Sequence, residues 1–486
     1  MSRGLMVCGT TSDAGKSTVV AGLCRLLARR GVKVAPFKAQ NMALNSYVTP
    51  SGHEIGRAQG VQALAACATP EVAMNPILLK PTGERTSQVV VMGQPQGHLD
   101  AAAYHAAKPA LRVVVHDALA DLKSRFDVII CEGAGSPAEI NLLDHDIVNL
   151  RVAKDAGFPA VIVGDIDRGG VFAALYGTVA LLPGTLRPIV KGFIINKLRG
   201  DPAMLRNGPA ELQQRCGVPT IGVLPYLRDV ALDAEDSLAL DGRRPRPTSA
   251  SQGDELDIAA VRLPRIANFT DLDALAIEPG VSVRLVDRAG ALGHPDLIII
   301  PGTKATVADL EWLRGTGLAA AISAYPILGI CGGYQMLGRT IIDPIEAQRT
   351  DPVDGLGLLP VDTTFEPTKV TRQRTGRALG HQLTGYQIHH GRTTTHNPWI
   401  TLDDAYGTEP EGATAAGGTT HGTSLHGLFE EDGFRAAFLA QLATLTNKTW
   451  TPAGVSFAAA RQQQLDRLAD MLESHLDLGA LEALLS

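Results

Sequence analysis

The apolar run Leu5 to Gly9 leads directly into Thr10-Thr11-Ser12-Asp13-Ala14-Gly15-Lys16-Ser17-Thr18, and the residues beyond repeat with helical spacing. Val19, Leu23, Leu26 and Leu27 share one face of that helix, and Gly31 ends it before the next apolar run, Val32 to Phe37. Strand, small-residue loop and helix in this order form a βαβ unit. Its loop turns backbone N–H groups toward an anion, the positive helix N-terminus stands behind them, and a lysine reaches the terminal phosphates. Gly9 and Gly15 are one residue further apart than in the usual phosphate loop, and Thr10 stands where a glycine is expected. The segment predicts nucleotide contacts from Thr10, Thr11, Asp13, Ala14, Gly15, Lys16, Ser17 and Thr18, with the Ser17 hydroxyl on Mg²⁺.

Short apolar runs continue to alternate with helical patterns, giving candidate strands at Phe126 to Cys131, Ala160 to Gly164, Gly192 to Ile195 and Ile221 to Leu224. Lys38, Glu132, Asp165 and Asn196 sit at the carboxyl ends of these runs, the edge where open parallel sheets bind ligands. Glu132 suits a carboxylate that holds Mg²⁺ or its water, Asp165 can share that task, and Asn196 is a candidate contact for the adenine.

A chain of 486 residues exceeds what one hydrophobic core serves. The Arg-, Pro- and Ser-rich stretch 241–254 reads as a linker between a domain at 1–240 and a second at 255–450. The second begins another αβ alternation, with strands at Asp257 to Val261, Val281 to Val286, Leu297 to Ile300 and Ile327 to Ile330. Shorter strands follow at Gly355 to Phe365, Gly385 to His389 and Thr423 to Leu425. Leu465, Leu468, Leu472 and Leu476 recur at helical spacing and predict packing helices in a tail at 451–486. The expected fold is α/β: two doubly wound, mainly parallel sheets and a helical tail.

The net charge of −6 gives no general attraction to nucleic acid or an anionic membrane, so neither is an expected partner. No apolar run approaches the roughly 20 residues of a membrane span, and the N-terminus lacks the pattern of a signal peptide. Six scattered cysteines without a CxxC pair argue against a disulfide framework or a zinc cluster. A reducing cytoplasm and no permanently bound metal are expected.

Pro326-Ile327-Leu328-Gly329-Ile330-Cys331-Gly332-Gly333-Tyr334-Gln335 has the G-x-C-x-G form of a nucleophile elbow, in which small neighbours permit the strained turn that exposes a reactive sulfur. The helix after it favours the thiolate, and His426 in Thr423-Ser424-Leu425-His426 is the expected base. Backbone N–H groups of Gly332 and of the Pro301-Gly302-Thr303 loop are natural oxyanion donors. His389 and His390 are adjacent on a strand, which argues against joint metal ligation.

Gly302-Thr303, Gly329 to Gln335 and His426 resemble a class I glutamine amidotransferase domain, and the loop from Gly9 to Thr18 resembles dethiobiotin synthetase-like ATPases. Both domains in this order, with Lys38 to Ser46, Glu54 to Gln59 and Lys80 to Gly83, resemble the cobyric acid synthase family. The resemblance implies successive ATP- and glutamine-dependent amidations of the b, d, e and g carboxylates of adenosylcobyrinic acid a,c-diamide. Carried over by motif, Cys331 forms the glutamyl thioester, His426 is its base, and Gln335 lies near the glutamine. Lys38, Gln40, Asn41, Glu54 and Arg57 are then expected at the corrinoid. Leu428 occupies the place where many triad amidotransferases carry Glu, leaving the group that orients His426 unassigned, and Gln387 stands where the family's Gly-Tyr-Glu-Ile-His stretch has Glu. A cobyrinic acid a,c-diamide synthase shares both domains, although the Lys38 to Ser46 segment argues against it. A P-loop switch protein with an inactive glutaminase-like domain is the reading from another class, and Thr11 stands where such switches often carry a second lysine.

Overall fold

The computed structural model describes residues 3–83, 86–227, 233, 254–405 and 407–486, so the expected linker lies, apart from Asp254, outside the described residues. The first six-stranded sheet has the order Thr220–Pro225, Val190–Leu198, Ala160–Asp165, Arg3–Gly9, Val128–Glu132, Val34–Phe37, with every neighbouring pair parallel. Its strands are mostly apolar because helices cover both faces. Met6 and Cys8 join one apolar layer, while Leu5 and Val7 join the other.

The second six-stranded sheet runs Val281–Val286, Leu256–Val261, Leu297–Ile300, Ile327–Ile330, Thr420–Thr423, Ala413–Thr414, parallel except for the last pair. The expected strand at Gly355 to Phe365 instead begins at Asp362. Gly357 takes φ 68° and Pro360 follows, so the preceding residues turn rather than extend. The expected strand at Thr423 to Leu425 is Thr420–Thr423. His426 therefore lies past the sheet, where its backbone pairs with Tyr386 on the long hairpin Asp362–Ala378/His381–Thr393.

That hairpin joins the domains. Gln373 Nε2 donates to the carbonyl of Val48 at 2.9 Å, and Val48, Tyr386 and Ile388 form a small apolar cluster. Val48 belongs to a short hairpin, Ser46–Val48 with Glu54–Gly56, in the stretch between the second and third strands of the first sheet.

The tail helix Phe457–His475 returns to the first domain and packs along the phosphate-loop helix Lys16–Arg29. Gly22 permits the close approach, because a Cβ there would lie 2.6 Å from Leu472 Cδ1. Arg25 pairs with Asp466 at 2.8 Å and Arg29 with Asp470 at 2.6 Å, but such half-exposed pairs contribute little, and the buried leucines carry the contact. Leu472 is fully buried. Leu472→Ala is expected to cost about 2–5 kcal/mol of stability, and an unchanged denaturation midpoint would show that the tail does not support this domain. Among the described residues no helix is long and apolar enough to cross a membrane.

Candidate functional site

The phosphate loop emerges from the central strand of the first sheet. Thr10 anchors it by donating its N–H to the carbonyl of Val163 at 2.9 Å. Gly15 is left-handed at φ 97° and caps the helix without a side chain, which leaves the first turn facing an open cavity of about 1140 Å³. Asp13, Gly15, Lys16, Ser17 and Thr18 line that cavity, together with Ser12, which motif reasoning passed over. Thr10, Thr11 and Ala14 do not line it: Lys16 Nζ donates to the carbonyl of the exposed Thr11 at 2.9 Å, and Ala14 is fully buried.

The Ser17 hydroxyl donates to Glu132 Oε1 at 2.8 Å, and the same carboxylate accepts from Lys38 Nζ at 2.9 Å and from Gln62 Nε2 at 2.5 Å. One hydroxyl and one carboxylate at the foot of a phosphate loop fit an octahedral Mg²⁺ that takes its other ligands from phosphate and water. Among the described residues no cluster of three metal-binding side chains exists, so an ion there would depend on the nucleotide.

Two expectations need correction on this side. Asp165 is held by Lys197 at 2.8 Å and does not line the cavity, being two strands away from Glu132. Asn196 Nδ2 donates to the Ala14 carbonyl at 2.9 Å; it supports the phosphate loop from behind and is not exposed to a base. Lys197 and Tyr226 line the cavity instead.

Of the residues expected at the substrate, Lys38, Gln40 and Asn41 line the cavity, whereas Glu54 and Arg57 do not. Glu54 is buried between Lys80 and Lys369. Arg57 is buried in an ion network with Asp233, Glu430 and Arg461 that ties the first domain to the segment after His426 and to the tail. Their charges are spent on joining domains.

Cys331 sits between the strand Ile327–Ile330 and the helix Gly332–Leu337, with φ 52° and ψ −106°. A side chain held in this sparsely populated region is the strain of a nucleophile elbow. The elbow lies directly on the Pro301 to Thr303 loop: a Cβ on Gly332 would be 2.7 Å from Thr303 Cγ2, and one on Gly302 would be 2.9 Å from His426 Cε1. Cys331, His426, Gly302 and Gln335 line one narrow cavity. Gln335 Oε1 accepts from the Thr306 hydroxyl at 3.2 Å.

The group that orients His426 is Asp271. His426 Nδ1 lies 2.7 Å from Asp271 Oδ2, and Asp271 Oδ1 accepts the Gly427 N–H at 2.7 Å, so one carboxylate fixes both ring and backbone. Tyr386 stacks on the imidazole at 5.2 Å. Burial disfavours a charge on His426, but the Asp271 carboxylate and Cys331 outweigh it and push the imidazole up to about 10. Asp271 lies 155 residues before His426, in the 3-10 helix Phe269–Leu272. Burial draws His389 and His390 down to about 4, and each Nδ1 meets a backbone carbonyl.

The segment Ile266 to Phe269 lies between the two cavities. Ile266 and Phe269 line the large one, while Ala267 and Asn268 line the narrow one. Asn268 Oδ1 accepts the Ser46 N–H at 2.8 Å, and its Nδ2 lies 3.4 Å from His426 Nε2.

Residues 5–239 match the CobQ/CobB/MinD/ParA nucleotide binding domain family, and residues 257–434 match the CobB/CobQ-like glutamine amidotransferase domain family. A cobyric acid synthase of Frankia casuarinae is 50% identical, with 100% of this chain and 97% of the relative covered. One of Rhodococcus jostii is 51% identical over 99% of this chain and 95% of the relative, and one of Streptomyces avermitilis is 50% identical over 99% and 96%. With a nucleotide-binding domain and a thiol glutaminase domain in one chain, matched end to end by these relatives, this sequence belongs to the cobyric acid synthase family of glutamine-hydrolysing amidoligases.

Proposed function

We propose that the chain converts adenosylcobyrinic acid a,c-diamide to adenosylcobyric acid in cobalamin biosynthesis, amidating the b, d, e and g carboxylates with ATP and with ammonia taken from glutamine. The observation that carries this reading is the shared wall: the segment Ile266 to Phe269 has a phosphate-loop cavity on one face and the cavity of a Cys–His–Asp group on the other. A volume of about 1140 Å³ exceeds an ordinary single-ligand pocket and suits a nucleotide beside a large ring.

In the narrow cavity the Cys331 thiolate attacks the glutamine carboxamide, and His426, aligned by Asp271, passes a proton to the departing ammonia. N–H groups of Gly332 and the Gly302 loop receive the oxyanion, and water then releases glutamate from the thioester. In the large cavity a substrate carboxylate is a poor electrophile until it takes the γ-phosphoryl group of ATP. Lys16 leaves the loop carbonyls for the phosphates, and Ser17 with Glu132 would hold Mg²⁺, which neutralises the charge in transfer. Ammonia passing the Asn268 segment displaces phosphate from the acyl phosphate without entering bulk water. The six free cysteines suit a reducing cytoplasm.

Mass spectrometry of corrinoid acids incubated with the protein, ATP, Mg²⁺ and glutamine should show successive acid-to-amide substitutions at the four positions. Finding substitution only at the a and c side chains would reject this substrate. Glu132→Gln is expected to lower ATP-dependent amidation about 10–100-fold and to raise the Mg²⁺ concentration needed for half-maximal rate. An unchanged Mg²⁺ dependence would remove Glu132 from that role.

A further inference from the structure

The cavity in front of Cys331 carries more charge than thioester chemistry requires. Lys80, Lys304, Lys369 and Glu346 all line it, and Lys304 is ion-paired with Glu346. Lys80 and Lys369 come from different domains and meet on one carboxylate. Lys80 Nζ donates to Glu54 Oε1 at 2.6 Å, and Lys369 Nζ donates to Glu54 Oε2 at 2.5 Å. The side chains of both lysines are only 5% exposed, and that of Glu54 is 0% exposed.

Burial works against the charge on Glu54, yet the two lysines hold its carboxyl far below the ordinary range. Burial, opposed by Glu54 and helped by Lys80 and Lys304, draws Lys369 down to about 8. His389 and His390, in the same lining, are neutral near pH 7 and add no charge. His426 is matched by Asp271, and among the described lysines of this lining three ammonium groups share two carboxylates, Glu54 and Glu346. A buried surplus of positive charge is costly unless an anion meets it.

The glutaminase reading, on which this inference rests, brings one anion into the same lining. Glutamine presents its carboxamide to Cys331 and carries an α-carboxylate a short aliphatic chain away. We infer that Lys369, held in place by Glu54 of the nucleotide-binding domain, which Lys80 fixes from the other side, receives the α-carboxylate of glutamine, so that the glutaminase pocket is complete only when the two domains are docked. Two consequences separate this from a merely structural ion cluster. Loss of Lys369 should weaken glutamine binding more than it slows turnover, and a carboxamide without an α-carboxylate should not register the loss.

The test measures ammonia release by the full-length protein from glutamine and from 4-aminobutanamide, which keeps the carboxamide and the amine but lacks the carboxylate. Lys369→Met is expected to raise the glutamine KM about 30–100-fold, the lower end of the cost of removing one partner of a buried charge pair. The kcat should change far less, and Lys369→Arg should restore most of the KM. Hydrolysis of 4-aminobutanamide should be the same in wild type and Lys369→Met. An unmoved glutamine KM overturns the inference, as does a parallel fall of kcat for both carboxamides in both variants, which would mark Lys369 as a structural strut. If the unaltered protein releases no ammonia from glutamine, the glutaminase reading itself fails.

Discussion

Cys331→Ala is expected to lower glutamine-driven amidation at least about 10⁴-fold while ammonia-driven amidation continues near its original rate. Removing the nucleophile of a covalent site leaves only orientation and oxyanion stabilisation, which account for a small part of the acceleration. The strained backbone at φ 52° exists to present that sulfur, and alanine presents nothing to attack with. The large cavity lies beyond the Ile266 to Phe269 segment and contains no part of Cys331. The comparison is made by supplying glutamine or ammonium salts at saturating ATP. Loss of both activities would contradict two separable sites, and retention of the glutamine-driven rate would remove Cys331 from the chemistry.

Asp271→Asn should cost the glutaminase about 10³–10⁴-fold, again without affecting the ammonia-driven rate. Asparagine keeps the shape and can still accept the Gly427 N–H through its oxygen. Its amide group then faces His426 Nδ1, which must become an acceptor, so the imidazole is driven to the tautomer that cannot take the sulfur proton. The charge that keeps His426 protonated is also lost. Ammonia release from glutamine reads the effect directly. A loss smaller than tenfold would mean that Tyr386 stacking and the Tyr386–His426 backbone pair orient the ring by themselves.

Local patterns made the two sheets and both reactive loops legible. A phosphate loop and a nucleophile elbow are each determined by about ten consecutive residues, and buried parallel strands are uninterrupted apolar runs. Ser17 was visible in the phosphate-loop motif, and Glu132 because it ends a strand at the ligand edge of the sheet, a position that topology dictates. Asp271 was not visible, since nothing within its own neighbourhood specifies a meeting with a histidine far along the chain. Glu54 and Arg57 illustrate the converse. A charged residue in a motif-rich segment reads equally as a ligand contact or as a partner for another domain, and only the positions of Lys369, Asp233 and Glu430 decide between them. Asn196 was found at the correct edge but with its side chain turned under the loop, a matter of orientation that strand periodicity leaves open.

The closure of the tail over the phosphate-loop helix has a consequence for biogenesis. Arg25 and Asp466 are 441 residues apart, so the apolar face of that helix waits uncovered while almost the whole polypeptide is made. Ribosomal synthesis at about 5–20 residues per second leaves this face exposed for tens of seconds. The nucleotide half therefore cannot mature ahead of the glutaminase half, and a nascent chain that stops early would be left with bare hydrocarbon where Leu468 and Leu472 belong.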